Sequence, residues 1–349
     1  MTRLLLGFAL FCFLPGCGDD GDSAGSPGTG GLAGAGSGGM AGVGAGGSGG
    51  QVCVAPGSES VSVQNDYGTL GGVLEVPAAC PDTVVLFLSG SGSQDRDGNA
   101  YGSATDMYKT VATALRDSAG VATLRFDDHG IKDSVSAAPA LKDFTFDLEV
   151  RDAARWVEWL RTDGRFSKVV IAGHSQGSLT GILADRQAPI DGFISLAGAG
   201  RPVGKLIIEQ VQAKLSGAQL DELKQAVADL EAGKLPGPLT PPLDQIIPTD
   251  TQPYLVTWMK WDPAAEVANL KAPTIIAQGT TDRQVKVSDA EALATAKPDA
   301  QLLIVNDMCH TLKQATWDTA QQKAAYTDPS VPLAAGLVDG LATFLTTLP

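Results

Sequence analysis

The sequence predicts an α/β fold: a mostly parallel β-sheet covered by helices on both faces. Three observations point there. From residue 58 onward, short apolar runs alternate with helical patterns, the rhythm of βαβ units. Runs such as 84–88 (VVLFL) are apolar without interruption, as strands buried on both faces are. A length of 349 residues with 44% apolar composition is enough for one large core.

The elements follow in order. Residues 60–64 and 69–76 read as strands joined at Asn65-Asp66-Tyr67-Gly68, a turn signal. The third strand is 84–88, bounded by Pro81-Asp82 and Gly90. A helix over 107–118 leads to a fourth strand at 120–126. Residues 146–161 form an amphipathic helix, with Leu148, Ala153, Trp156, Val157 and Leu160 on or near one face. A strand at 168–172, a helix at 179–186 and a strand at 193–196 come next. The rhythm then breaks. Residues 203–268 contain helices without strands, which reads as an insertion at one end of the sheet. Within it, Ser216 and Gln219 form a capping box before Leu220, Leu223, Val227 and Leu230 at helical spacing, and a proline-rich stretch follows over 235–253. Strands resume at 274–277 and 302–305 with a helix at 289–296 between them, and a helix over 331–348 closes the chain.

The N-terminus departs from this pattern. One basic residue, Arg3, precedes an apolar run over 4–14 that is too short to span a bilayer, and Leu14-Pro15-Gly16-Cys17 follows. This arrangement resembles the export signal of bacterial lipoproteins, in which the cysteine after the cut is acylated. It implies a signal peptide over 1–16, lipidation at Cys17 and a protein held at the bacterial cell envelope. Residues 17–51 then read as a flexible linker: of residues 18–50, 16 are glycine, too little apolar surface to offset the entropy of ordering. The folded domain is expected over 52–349. In an exported protein, Cys53 and Cys80 are a plausible disulfide pair, and Cys309 reads as a small packing residue. The net charge of −14, with no basic stripe, argues against nucleic acid as a partner.

The pattern Gly-x-Ser-x-Gly occurs three times. The copies at 21–25 and 46–50 sit in the glycine-rich linker and are accidents of composition. The third, Gly173-His174-Ser175-Gln176-Gly177, has a strand before it and a helix after it, the context of a nucleophile elbow. A serine needs a base, and the base needs an orienting acid. The chain has three histidines. His174 lies inside the turn and points elsewhere. His129 precedes the serine, whereas at such an elbow the acid and then the histidine follow in the chain. His310, just after the last strand, fits. Asp282, at the end of the 274–277 strand segment, is the expected acid, with Asp307 as the alternative. The oxyanion of acyl transfer needs preset donors: the backbone N–H of Gln176, and one from the 89–97 loop, Ser91 rather than Gly92. That loop lacks the Gly-Lys-Ser/Thr ending of a phosphate cradle.

The segments LFLSGSGSQDRDG, LRFDDHGIKDS, IAGHSQGS, LAGAGRP and AQGTTDRQV resemble the α/β-hydrolase superfamily, and within it the serine-aminopeptidase/lysophospholipase-like branch of esterases. The resemblance runs from about residue 60 to the C-terminus. It implies an eight-stranded sheet, a helical cap over 203–268 and a Ser175–Asp282–His310 triad. The chain departs from its relatives at Asp128-His129, where a Lys or Arg is usual. The expected activity is hydrolysis of small aliphatic or aryl carboxylic esters, without metal or cofactor. A peptidase or amidase would need acidic residues facing the pocket, such as Glu209, and a catalytically idle surface binding module is the third reading.

Overall fold

The computed structural model describes residues 56–78, 80–100 and 102–349. The expected signal peptide, Cys17, the linker and Cys53 lie outside these residues. Cys80 is disulfide-bonded.

β1 (Gly57–Gln64) and β2 (Thr69–Val76) pair antiparallel, with Val61 opposite Gly72. Asn65 closes their turn by accepting the N–H groups of Tyr67 and Gly68 on its side-chain oxygen. β3 (Thr83–Leu88) and β4 (Ala122–Phe126) flank α1 (Met107–Ala119). α2 (Phe146–Asp163), capped by Thr145, leads to β5 (Lys168–His174), α3 (Gln176–Ala184) and β6 (Gly192–Leu196). Five helices fill the insertion: α4 (Val203–Val211), α5 (Gly217–Glu231), the short α6 (Leu243–Ile246), α7 (Gln252–Met259) and α8 (Pro263–Val267). The expected capping box at Ser216 and Gln219 starts α5. β7 (Thr274–Gly279), α9 (Val287–Ala296), β8 (Gln301–Val305), α10 (Thr319–Thr327) and α11 (Leu337–Thr346) complete the chain.

The eight strands form one sheet in the order β1-β2-β4-β3-β5-β6-β7-β8. β2 alone runs antiparallel to its neighbours; all other adjacent pairs are parallel. This is the α/β sheet the alternating sequence predicts. On one face, Trp156, Val157 and Leu160 of α2, Ile182 of α3 and Leu293 of α9 pack against the sheet. On the other, Val111 and Leu115 of α1 meet Leu341 and Phe344 of α11. The insertion has its own core, in which Leu223, Leu230, Leu243, Tyr254 and Trp258 cluster with Phe146 of α2 and Leu183 of α3.

Several boundaries differ from expectation, and three of the differences have a visible cause. The last helix begins at Leu337 rather than 331, because Leu333 pairs with Lys313 in a β-bridge and Gly336, at φ 84°, turns the chain into the helix. Gly120 does not start β4; it caps α1 in a left-handed conformation at φ 65°. α3 begins at Gln176, directly after the turn, rather than at 179. α10 was not expected at all. Its apolar content is low, and its buried contacts are Gln322 and Ala325.

Parallel order brings the C-terminal ends of β3, β5, β7 and β8 to one edge. In such sheets that edge is where ligands bind.

Candidate active site

Ser175 follows β5 with φ 52° and ψ −117°, a conformation non-glycine residues adopt only when their surroundings impose it. The surroundings are visible. Its N–H donates to the Leu196 carbonyl at the end of β6. A Cβ at Gly177 would sit 2.5 Å from the carbonyl oxygens of Leu88 and Ser89, and one at Gly173 would sit 2.3 Å from the Gly177 carbonyl oxygen. Only glycine at both positions lets the turn close against β3.

The loop after β3 lies beside this turn, since Leu88 is in register with Gly173. Ser91 and Ser175 line a common cavity with His310, Gln94, Thr105 and Tyr326. Ser91, Ser175 and Gln176 also line an adjoining, more apolar cavity with Leu179, Val203, Leu206, Trp258 and Val285. Gln176 is the first residue of α3, where backbone N–H groups have no intrahelical acceptor.

His310 lies in the loop after β8 and Asp282 in the loop after β7. The His310 Nδ1–H donates to Asp282 Oδ2 at 2.8 Å, which leaves Nε2 unprotonated in the neutral ring. Asp282 is fully used: Gln278 Nε2 also reaches Oδ2 at 3.1 Å, and the N–H groups of Gln284 and Val285 reach Oδ1 at 2.7 and 3.0 Å. Burial pushes this carboxyl up, but the His310 imidazole and the two backbone N–H groups outweigh burial and hold it below the ordinary aspartate value. Asp307, the alternative acid, sits in a turn at φ 51°, and the His310 ring is held by Asp282 instead. Among the described residues no hydrogen bond joins Ser175 Oγ to His310; the two side chains face one cavity.

The other histidines are accounted for. His129 Nε2 pairs with Asp152 at 2.7 Å. His174 is buried between Tyr108, whose hydroxyl lies 3.0 Å from Nδ1, and the His310 carbonyl, 2.8 Å from Nε2. Burial, reinforced by the neighbouring His310, pushes His174 down to about 3, so it is neutral. Glu209, the candidate for recognising a free amine, is paired with Arg201 and Lys286. Cys309 is buried, its Sγ 3.2 Å from Thr311 Oγ1. Among the described residues no cluster of His, Cys, Asp and Glu is arranged to hold a metal ion, and no helix is long and apolar enough to cross a membrane.

Sequence reasoning missed three supporting groups: Tyr108, which joins His174 to the N–H of Gly90 at 2.9 Å, Gln278, and Glu149. Glu149 accepts from the Gln176 amide at 2.5 Å and from the Tyr254 hydroxyl at 2.8 Å. Of their neighbours, only the unusual Asp128-His129 pair stood out in the sequence.

Comparison with known proteins agrees with this architecture. The chain is 26% identical over 249 residues to the esterase EstD of Thermotoga maritima, covering 70% of this chain. It spans 58% of that relative's length. The ferulic-acid complex of Est1E from Butyrivibrio proteoclasticus has a similar fold, with a TM-score of 0.53 and 17% identity over 81% of this chain and 95% of that one. An esterase of Pyrococcus furiosus gives a TM-score of 0.54 and 15% identity, over 84% of this chain and 92% of that one. The profile of the alpha/beta hydrolase family matches residues 85–316, and the chain belongs to that family.

Proposed function

We propose that the protein is a serine hydrolase that cleaves carboxylic esters through an acyl-enzyme. The observation that carries this reading is the convergence at one sheet edge: a strained, exposed-to-cavity Ser175 and a His310 whose Nδ1–H is committed to Asp282. With Nδ1 held, Nε2 is the basic atom that faces the cavity. It takes the Ser175 proton as Oγ attacks the ester carbonyl, and Asp282 stabilises the imidazolium that forms. The N–H groups of Gln176 and Ser91 receive the oxyanion. The imidazolium gives its proton to the departing alcohol. His310 then deprotonates a water that attacks the acyl-enzyme, and the acid leaves with Ser175 restored. The Ser175–His310 hydrogen bond forms with substrate in place, as catalytic hydrogen bonds often do.

The helical insertion acts as a cap: Val203, Leu206 and Trp258 wall one side of the apolar cavity beside Ser175. That wall favours small aliphatic or aryl acyl groups. Esterase names among the relatives and fold neighbours support the ester reading. Export and lipid anchoring at Cys17 remain part of the proposal on the sequence of residues 1–17 alone.

The test is a panel of chromogenic esters of varied acyl length, with aminoacyl anilides, on the wild type and Ser175→Ala. Ester turnover that disappears in the variant is expected. Equal hydrolysis by both proteins overturns the assignment of Ser175, and turnover of anilides but not esters replaces the esterase by an amidase.

A further inference from the structure

A second cavity lies against Gln176, lined by Ser89, Asp128, His129, Glu149 and Asp152. Its carboxyls are held in two different ways. Asp152 accepts from the Arg155 guanidinium at 2.7 Å, with His129 at 2.7 Å and the Asn65 amide at 3.0 Å beside it. Asp128 accepts from the Ser89 hydroxyl at 2.5 Å and the Gln94 N–H at 2.8 Å. Glu149 accepts from the Gln176 amide and the Tyr254 hydroxyl. All four of these donors are neutral. The nearby cations are engaged elsewhere: Arg96 with Asp127 and Asp133, Lys132 with Asp95, Arg155 with Asp152 and Asp66. Among the described residues no Lys or Arg pairs with Asp128 or Glu149.

We propose that Asp128 and Glu149 are positioning residues that hold the two halves of the oxyanion hole: Asp128 fixes the 89–94 loop that carries Ser91, and Glu149 fixes Gln176 and ties it to the insertion through Tyr254. The proposal rests on the reading of Ser91 and Gln176 as oxyanion donors. With only neutral donors beside them, both carboxyls do this as uncharged acids: Asp128 shares its proton with the Ser89 hydroxyl across their 2.5 Å contact, and Glu149 takes both its bonds on Oε2, which leaves Oε1 to carry the proton. Burial pushes Asp128 up to about 7, against its bonds to Ser89 and Gln94 and the pull of His129, with Asp127 adding to the rise. Burial pushes Glu149 up to about 8, against its bonds to Tyr254 and Gln176, with Asp128 and Asp152 adding to the rise. Ionising either places a negative charge within one or two residues of the groups that must stabilise the oxyanion, in a site where water screens poorly. Hydrolysis therefore slows as pH rises through about 7 to 8.

The experiment measures kcat and KM of the full chain with p-nitrophenyl acetate between about pH 6 and 9. Variants are Asp128→Asn, Glu149→Gln, their combination and Glu149→Ala. The amides keep a carbonyl acceptor but cannot ionise. An alkaline fall in wild-type kcat that is absent from the double amide variant is the expected result. Glu149→Ala at the acid end is expected to lose about tenfold in kcat with KM changed less than about threefold. A double variant with the wild-type alkaline fall overturns the proposal, and so does a Glu149→Ala protein with full kcat. Ser175→Ala run beside them separates the two levels. If it still hydrolyses the ester, the nucleophile reading falls; if it is inactive while the double variant titrates like the wild type, only the positioning roles fall.

Discussion

His174 Nε2–H donates to the backbone carbonyl of His310 at 2.8 Å, so the residue before the proposed nucleophile holds the loop of the proposed base. Its other nitrogen accepts from Tyr108, whose hydroxyl in turn accepts the Gly90 N–H. One buried imidazole thus joins the β3 loop, the elbow and the β8 loop.

Replacing His174 by Gln is expected to lower kcat roughly ten- to hundredfold by letting those loops drift. It also changes acid stability. The folded value of His174 is depressed to about 3 from 6.5. Below 6.5 the unfolded chain therefore binds a proton that the folded chain refuses. Stability falls by up to about 1.4 kcal/mol for each pH unit as pH drops from 6.5 towards 3. Asp128 and Glu149 act in the opposite sense: their folded values are raised, so they favour folding as pH falls through 8 towards 4. The comparison must therefore be between variant and wild type. Urea unfolding at a series of pH values should show a shallower acid loss in His174→Gln, and an unchanged slope would refute the buried neutral ring.

Asp282→Asn tests the orientation of the base. Oδ1 receives two backbone N–H groups, which cannot turn away, so the asparagine oxygen stays on that side. Its NH2 then faces His310 Nδ1, which must accept, and the proton moves to Nε2. A base protonated on its working nitrogen cannot take the serine proton. A loss of about 10⁴-fold in kcat is expected with KM little changed, measured on aryl esters. Loss confined to KM would contradict this account.

Gly177→Ala tests the elbow without touching the reacting groups. The added Cβ meets two backbone oxygens at 2.5 Å, and these belong to the end of a central strand that cannot shift cheaply. A destabilisation of about 3 kcal/mol is expected in chemical denaturation, together with loss of activity. Gly217→Ala, where a Cβ meets nothing within 4 Å, is the control.

The sheet was legible because its signals are local. Continuous apolar runs such as 84–88 and 169–172 fall within β3 and β5, and glycines mark where strands turn. The closeness of Ser175, Asp282 and His310 was legible because each follows a strand, where parallel topology collects side chains whatever their separation. Glu149 was not, since it meets Gln176 from 27 positions away and Tyr254 from 105, through the docking of α2 and α7. Neither contact has a periodicity to announce it. His174 read as a bystander because its value lies in a backbone carbonyl 136 positions away. The closing helix starts later than its sequence pattern suggests for the converse reason: the apolar residues at 331 and 333 suit a helix, but Leu333 is taken into a bridge with Lys313.

Trp258 tests the assignment of the apolar cavity to the acyl group. Its side chain is buried, stacks on Phe146 with ring centroids 5.8 Å apart, and lines the same cavity as Ser175, Leu206 and Val285. Trp258→Leu removes ring volume while keeping the wall apolar. Each methylene accommodated in such a pocket changes selectivity by roughly tenfold or more. The ratio of kcat/KM for octanoyl over acetyl esters should therefore rise about tenfold or more, with the acetyl ester itself little affected. If the rise appears instead when the alcohol is lengthened at constant acyl group, the cavity holds the leaving group. In that case the acyl chain must lie towards Gln94, Thr105 and Tyr326.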